Sequence, residues 1–389
     1  MTASYHQSSL DPSLIFLTEH SSLLRVDVET AEALRRGDES GIEPWLGVLV
    51  APNEMRRRTP NALSLNIATS CNLGCTYCYA DSGRFGGENR PAMSTGTMRA
   101  AVDNLLEGNR DGRATVGFIG GEPFANRRLL HETVAYAEDK ARATNVTIAF
   151  SVTTNGTLLQ AEDIELLRSR SFAVTISIDG PARLHDQVRP GLGFQRSYDR
   201  TIARIRPLLD DPRSCRISAR ATITRLHIDV SEIIEHLCDI GFREVGVAPL
   251  QTAPRHDLVF QEDDFTVLLG SMREAARQEF DRLVRGYPPR FTNLIVGMRE
   301  IQRGARRSLP CGAADNYVSV SAEGNYFACH RTIDDDRFRL GNVGSGIDEE
   351  ARETFISSHR VEEQPAAVTG GQLRHRGRRD RGDRVLERQ

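Results

Sequence analysis

Cys71-Asn72-Leu73-Gly74-Cys75-Thr76-Tyr77-Cys78 holds three of the chain's seven cysteines in the spacing C-x3-C-x2-C. It follows the apolar run Leu63-Ser64-Leu65-Asn66-Ile67-Ala68, which predicts a β-strand and places the thiols in a loop at its carboxyl end. Thiolate is a soft ligand that selects zinc, cuprous copper or an iron–sulfur cluster. A structural zinc site closes with a fourth Cys or His at a second paired spacing. None lies nearby: Asp81 is a poor soft-metal ligand, and the first histidine after the triplet is His131. Three thiolates on a cubane cluster leave one iron without a protein ligand, able to bind a small molecule. The residues favour an iron–sulfur site, with zinc and a chance group of reduced cysteines as the alternatives.

Outward from this loop, apolar β runs alternate with helical patterns, which predicts an α/β fold with a parallel sheet and crossover helices. Strands are expected at 63–68, 114–119, 147–153, 173–178, 217–223 and 244–249, with helices near 95–108, 127–143, 160–168, 197–209 and 230–240. Ser94 is a candidate N-cap for the first helix and Asp229 or Ser231 for the fifth. Six β/α units make a partial, open TIM-like barrel, and ligands on such sheets bind beyond the carboxyl ends of the strands. At those ends stand Gly120-Gly121-Glu122, Thr154-Asn155-Gly156, Ser177-Ile178-Asp179-Gly180 and, within the fifth strand, Arg220. Two glycines let a ligand approach the backbone, and the carboxylate after them can accept hydrogen bonds from an ammonium group. Taken singly, Gly-Gly-Glu is more often a plain strand-to-helix turn, and Asn-Gly and Asp-Gly are common turn formers. Arg220 can equally pair with a structural acid. Gly191-Leu192-Gly193-Phe194 lacks the third glycine of a phosphate-binding pattern.

C-x3-C-x-aromatic-C, as it stands in Cys71, Cys75, Tyr77 and Cys78, resembles the signature of radical S-adenosylmethionine (radical SAM) enzymes, and the resemblance runs from about Leu63 to Gly344. It implies a [4Fe-4S] cluster on Cys71, Cys75 and Cys78 and SAM chelated at the open iron, where an electron releases a 5′-deoxyadenosyl radical. By the same resemblance Gly120, Gly121 and Glu122 hold the methionine amino group. Asn155 and Ser177 contact ribose or methionine, Arg220 meets the SAM carboxylate, and Tyr77 joins the cofactor-binding positions.

Cys311-Gly312-Ala313, Tyr317-Val318-Ser319-Val320, Glu323-Gly324-Asn325 and Tyr326-Phe327-Ala328-Cys329 read as a hairpin that returns Cys329 toward Cys311. C-x12-G-x4-C before Gly341-Asn342-Val343 resembles the opening of a SPASM domain, the auxiliary-cluster module of radical SAM enzymes that act on peptides and proteins. A complete one continues with C-x2-C-x5-C-x3-C, whereas this chain has no cysteine after Cys329. Cys311 and Cys329 are thus at most the remnant of an auxiliary cluster, which two cysteines cannot hold alone. The remainder, 349–389, ends in an Arg/Gly-rich charged run that cannot bury apolar surface and is expected to be disordered. A frameshift or truncation near residue 365 would account for it. Cys238 reads as a small helix-borne hydrophobe and Cys215 opens a strand; neither is assigned to a cluster.

The expected organisation is an N-terminal α+β extension (1–60), a radical SAM core (61–290), a partial SPASM domain (305–348) and the tail. In the extension, strands at 13–17 and 23–28 flank a turn at His20-Ser21-Ser22, and Asp27 or Glu29 starts a helix that Gly37 ends. This order resembles leader-recognition modules of peptide-modifying enzymes; a packing extension is the plainer alternative. Residues 263–284, with Phe265, Leu268, Leu269, Met272, Ala276, Phe280 and Leu283 on one stripe, predict a core-facing helix.

Composition supplies the remaining bounds. A formal charge of −3 gives no reason to expect nucleic acid or an anionic membrane as partner. The start of the chain has no signal-like region and no stretch reads as a membrane span, so a cytoplasmic location is expected. An odd cysteine count with three crowded suits a reducing compartment. The resemblance implies an enzyme acting on a peptide or protein substrate that carries a leader segment, with a flavodoxin- or ferredoxin-like electron donor. Among its members the chain looks most like thioether-forming maturases, including the type that matures quinohemoprotein amine dehydrogenase. A second reading is a sulfatase maturase that makes formylglycine, although that group carries Asp where this chain has His330. A third, of another class, is a SAM- or peptide-binding protein that has lost turnover.

Overall fold

The computed structural model describes residues 5–8, 11–17, 22–43, 59–84, 91–194, 196–211, 215–303, 309, 311–333 and 335–360. It divides into two compact units, one of Met1–Arg56, Glu300–Cys311 and Thr354–Gln389, the other of Arg57–Arg299 and Gly312–Glu353.

In the first unit β1 (Tyr5–Gln7), β2 (Leu14–Leu17) and β3 (Ser22–Arg25) form an antiparallel sheet in that order, and α1 (Val28–Arg35) follows. The predicted strand at 23–28 ends at Arg25 because Asp27 is already the cap of α1, its carboxylate accepting from Thr30 N–H at 2.7 Å. Ile15, Leu17, Leu34 and Ile42 make the core of this unit, with Tyr5, Leu24 and Val26 packed against it. The expected turn residues His20 and Ser21 lie outside the described residues. β1 is an addition that the residue pattern did not announce.

The second unit is built on a sheet of ten strands. β4 (Ala62–Ala68), β5 (Arg113–Gly120), β6 (Thr147–Thr154), β7 (Phe172–Ser177), β8 (Arg216–Ile223) and β9 (Val245–Pro249) run parallel in chain order. Each matches an expected strand to within a residue or two. The crossover helices are α2 (Thr95–Glu107), α3 (Arg127–Thr144), α4 (Ala161–Ser169), α6 (Ser197–Asp210) and α7 (Val230–Ile240), with a short unannounced α5 (Ala182–Val188) after β7. Ser94 caps α2 by accepting from Thr97 N–H at 3.0 Å, and Asp229, rather than Ser231, caps α7 by accepting from Glu232 N–H at 2.9 Å. Strand and helix apolar faces meet in one layer: Leu65, Val116, Phe118, Val174 and Val247 from the sheet, Met98, Leu106, Leu130, Leu167, Ile205 and Leu237 from the helices, all buried. Each such side chain contributes about 1.5–3 kcal/mol over exposure. This layer holds the strand ends, and so the loops on them, in fixed register.

On the far side of β4 the sheet continues with β10 (Tyr317–Val320), parallel to it, then β11 (Asn325–Phe327), β12 (Arg339–Asn342) and β13 (Gly346–Ile347), antiparallel in turn. The expected hairpin is present, with Gly324 at φ +89° in its turn. Its docking on β4, with Val318 opposite Leu63, places it beside the strand that leads into the cysteine loop.

Two expectations are corrected. α8 (Glu262–Val284) turns only part of its expected stripe inward: Leu268 is buried and Met272, Ala276 and Leu283 are half-buried, but Phe265, Leu269 and Phe280 are exposed, and the other buried positions are Ala275 and Glu279. The buried side carries Glu279 because its carboxylate accepts from Arg290 through Nη2 at 2.6 Å and the backbone N–H at 2.8 Å, so an ion pair, not the apolar stripe, fixes the helix rotation. α9 (Thr292–Arg303) follows. The tail set to begin at 349 opens instead with a helix, α10 (Glu349–Ser358), anchored by buried Arg352, whose guanidinium donates to Ala314 O at 2.6 Å and Asp315 O at 2.8 Å. Residues 361–389 lie outside the described residues. No helix among the described residues is long and apolar enough to cross a membrane.

Candidate functional site

The cysteine loop leaves β4 and is gripped from two sides. Along one side it zips onto the chain after α5: Thr76 N–H donates to Val188 O at 2.9 Å, Gly74 N–H to Pro190 O at 2.8 Å, and Leu192 N–H to Asn72 O at 2.8 Å. The Gly191–Phe194 segment thus serves as a rail for the loop, with Leu73 and Gly191 paired as a β-bridge. From the other side Asn72 Nδ2 donates to Thr157 Oγ1 at 2.7 Å, and Asn72 Oδ1 accepts from Asn155 Nδ2 at 3.0 Å.

Each of the three sulfurs receives an N–H donor. Cys71 Sγ accepts from Leu73 N–H at 3.4 Å and Asn155 Nδ2 at 3.7 Å, Cys75 Sγ from Arg189 Nη1 at 3.9 Å, and Cys78 Sγ from Ser82 N–H at 3.4 Å. All three thiols are free and half-buried. Burial pushes Cys71 up to about 12, against the bond from Leu73, and Cys75 up to about 11, against the Arg189 cation. Cys71 and Cys75 are thereby held as neutral thiols in the metal-free protein, and a metal would have to displace their protons, the N–H donors then stabilising the thiolates. Among the described residues no three His, Cys, Asp or Glu side chains are gathered as ligands of a single ion would be. Three soft sulfur ligands on one loop, each with an N–H donor, are a donor set that would suit an iron–sulfur cluster.

The glycines of Gly120-Gly121-Glu122 are explained by the backbone beside them. A Cβ on Gly120 would lie 2.3 Å from Ala68 O, and one on Gly121 2.2 Å from Ser70 O and 2.9 Å from Cys71 N. Gly120 also sits at φ +146°. Gly121 N–H donates to Ala68 O at 2.8 Å and Glu122 N–H to Ser70 O at 2.9 Å, which clamps the start of the cysteine loop onto the end of β5. Buried Glu122 accepts from Thr154 Oγ1 (2.6 Å), Phe124 N–H (3.1 Å) and Asn155 N–H (2.8 Å). Burial raises its pKa to about 7 in spite of those donors.

Asn155 has its amide filled by the protein: Nδ2 serves Asn72 and Cys71, and Oδ1 accepts from Thr157 N–H at 2.9 Å and Thr157 Oγ1 at 2.6 Å. These bonds tie its amide to the cysteine loop. Tyr77 is likewise buried, packed with Val188, Leu250 and Leu258, and its hydroxyl donates to Asp179 Oδ2. Ser177, the last residue of β7, is in register with Arg220, which lies within β8. Among the described residues Arg220 has no carboxylate partner; burial and then the Arg331 charge lower its pKa.

The residue pattern marked Tyr77 and Asp179 separately but did not join them, with Arg189, into one group. Asp179, buried, accepts from Tyr77, from Arg189 Nε at 2.7 Å and from Thr222 N–H at 2.9 Å. Burial alone would raise the Asp179 pKa, but Arg189 and His185 hold it below the usual carboxylate range. Asp179 was marked only as an acid directly after the apolar run of β7.

Cys329 and His330 follow β11. Cys329 N–H donates to Thr332 Oγ1 at 3.2 Å, and Tyr317 OH and His330 Nδ1 are 2.8 Å apart. Burial, then Arg331, pushes the His330 pKa down to about 4, so its ring, 6.0 Å from that of Tyr79, is neutral. Cys311 is exposed and belongs to the first unit, Cys329 to the second. Cys215 and Cys238 are half-buried, and neither is in a disulfide among the described residues.

A family model described as the Radical SAM superfamily matches residues 65–210, the span from β4 to the end of α6. These residues form a radical SAM domain. The superfamily uses a [4Fe-4S] cluster and SAM, which agrees with the donor set on the three sulfurs. The cysteine-type anaerobic sulfatase-maturating enzyme of Clostridium perfringens (strain 13 / Type A) is 34% identical over 135 residues, 33% of this chain and 35% of that enzyme. The chain spans well under two thirds of the length of the curated relatives it matches first. Among solved structures, native anSMEcpe with bound AdoMet shares the fold at a TM-score of 0.67 and 19% identity, over 78% of this chain and 84% of that one. SuiB of Streptococcus suis bound to its precursor peptide SuiA does so at 0.55 and 13%, over 91% and 89%. The matched span takes in the loop, its clamps and the first four of the six parallel strands.

Proposed function

We propose that this chain is a radical SAM maturase that cleaves SAM at a cluster held by Cys71, Cys75 and Cys78 and modifies a peptide or protein. The observation that carries the reading is the N–H donor on each of the three loop sulfurs within the radical SAM domain. When bound, the cluster supplies one electron to the SAM sulfonium, which yields a 5′-deoxyadenosyl radical.

The residues of this chain divide into those that meet SAM and those that place the loop. Arg220, without an acid of its own among the described residues, takes the methionine carboxylate as a charge-assisted pair. Ser177 lies beside it in register and supplies a hydroxyl. The backbone at Gly120 and Gly121 receives the ammonium group, with Glu122 fixing that backbone through Phe124, Thr154 and Asn155. Asn155 and Tyr77 act by holding the loop.

A peptide substrate is supported by the relatives: one shares the fold in complex with a precursor peptide, and another is named for maturing sulfatases. For the bond formed we infer thioether closure, because the residue after Cys329 is a neutral imidazole held by Tyr317 and not the carboxylate of the sulfatase maturases. The sequence likeness to sulfatase maturases favours formylglycine as the second reading. The first unit, whose sheet ends on β1 and β3, is assigned to capturing a leader segment as an added strand.

Mass spectrometry of a Cys-containing peptide after anaerobic turnover tests the assignment. Thioether closure removes two hydrogens and keeps the sulfur, whereas formylglycine formation loses it. Turnover of SAM with candidate peptides from the gene's neighbourhood unchanged in mass would contradict the maturase reading.

A further inference from the structure

We propose that Arg189 is a positioning residue that sets the reduction potential of the cluster through the sulfur of Cys75. The inference rests on Cys71, Cys75 and Cys78 being the cluster ligands. Arg189 lies at the end of α5, where Val188 O and Pro190 O accept from Thr76 N–H and Gly74 N–H, the two neighbours of Cys75. The register of the rail therefore sets this guanidinium opposite this cysteine. Its fork is divided: Nε donates to Asp179 Oδ2 at 2.7 Å, and Nη1 points to Cys75 Sγ at 3.9 Å. Its plane is further fixed by the Tyr77 ring, 5.3 Å from the guanidinium carbon.

A purely structural ion pair is the plainer account. Yet the side chains of Arg189 and Asp179 are only 10% and 3% exposed, and such a pair often contributes no more than an apolar replacement would. Asp179 spends its charge on Tyr77 OH and Thr222 N–H as well as on Arg189, so the cation is the member of the pair that reaches the sulfur. Reduction of the cluster adds one electron and no proton, and the added charge is shared with the thiolate sulfurs. An N–H donor carrying positive charge at one sulfur favours the reduced form and raises the potential. Arg189 thereby makes the cluster easier to reduce by the cell's electron donor.

The test is an EPR-monitored redox titration of the reconstituted full-length chain, with iron and sulfide counted in each preparation. Arg189→Lys keeps a cation for Asp179, but one ammonium cannot bridge both Asp179 and Cys75. It should load the same cluster, with the reduced-to-oxidised ratio at the wild-type midpoint lowered about tenfold, equivalent to 59 mV for a one-electron couple. Asp179→Asn removes the opposing anion while leaving the donor, and should shift the midpoint the other way. Arg183→Gln, an exposed substitution on the same helix, should not move it. Loaded Arg189→Lys and Asp179→Asn proteins with the wild-type midpoint would overturn the proposal, as would shifts of the same sign in both. Failure of the wild-type chain to take up a cluster would overturn the ligand reading and this inference with it.

Discussion

Gly121→Ala should damage the cysteine loop without touching a cysteine. The added Cβ would stand 2.2 Å from Ser70 O, 2.4 Å from Ser70 C and 2.9 Å from Cys71 N, all backbone atoms that no rotamer change can move. Restoring ordinary contact means pushing residues 70–71 back by about 1 Å, and overpacking of this kind costs about 1–3 kcal/mol. The movement also pulls on the bonds from Gly121 N–H to Ala68 O and from Glu122 N–H to Ser70 O, both under 3.0 Å. For a domain this large the cost corresponds to roughly 2–4 °C per kcal/mol, or about 6–12 °C near the upper end. Thermal unfolding of the metal-free protein followed by circular dichroism would show that fall. Anaerobic reconstitution of the same variant should give less cluster per chain, because Cys71 is displaced with the backbone. A variant that melts and loads like the wild type would refute the claim that these glycines exist for the close approach of the loop.

Two further outcomes follow from particular groups. His185 is fully buried, accepts from Asp179 N–H at 3.3 Å through Nδ1, and has its pKa pushed down to about 4 by burial. The unfolded chain binds the proton first, so stability is complete above pH 6.5 and is lost as the pH falls toward 4; the shift is worth about 3 kcal/mol. Urea titrations of the metal-free protein across that window should show a shallower pH dependence for His185→Gln, and equal slopes would contradict the assignment. Arg220→Gln should weaken SAM binding by about 10- to 100-fold, the worth of a charge-assisted hydrogen bond, while leaving the cluster absorbance unchanged. Equal affinity by calorimetry would remove Arg220 from the site.

Much of the fold was legible because its strands are continuous apolar runs punctuated by turn residues, as in Val174–Ser177 before Asp179-Gly180. Caps were legible for the same local reason, Ser94 and Asp229 among them. Long-range pairings were not. The expected stripe of α8 is only partly covered, and Glu279 is buried instead by an arginine eleven residues on, a partnership invisible to periodicity. The glycines at 120–121 were read as making room for a ligand, and the pattern did not show that the atoms a Cβ would meet belong to residues 66–71. Asn155 looked like a ligand contact because it ends a strand, yet its amide is spent on Asn72, Thr157 and Cys71. The Tyr77–Asp179–Arg189 group joins residues up to 112 positions apart, and spacing in the sequence carries no trace of it.

The most direct test of the central claim is a count of 5′-deoxyadenosine after anaerobic reconstitution with iron and sulfide, reduction, and addition of excess SAM. The account predicts release by the wild-type chain and none by Cys75→Ala. A folded wild-type protein carrying a full cluster that releases none would contradict it.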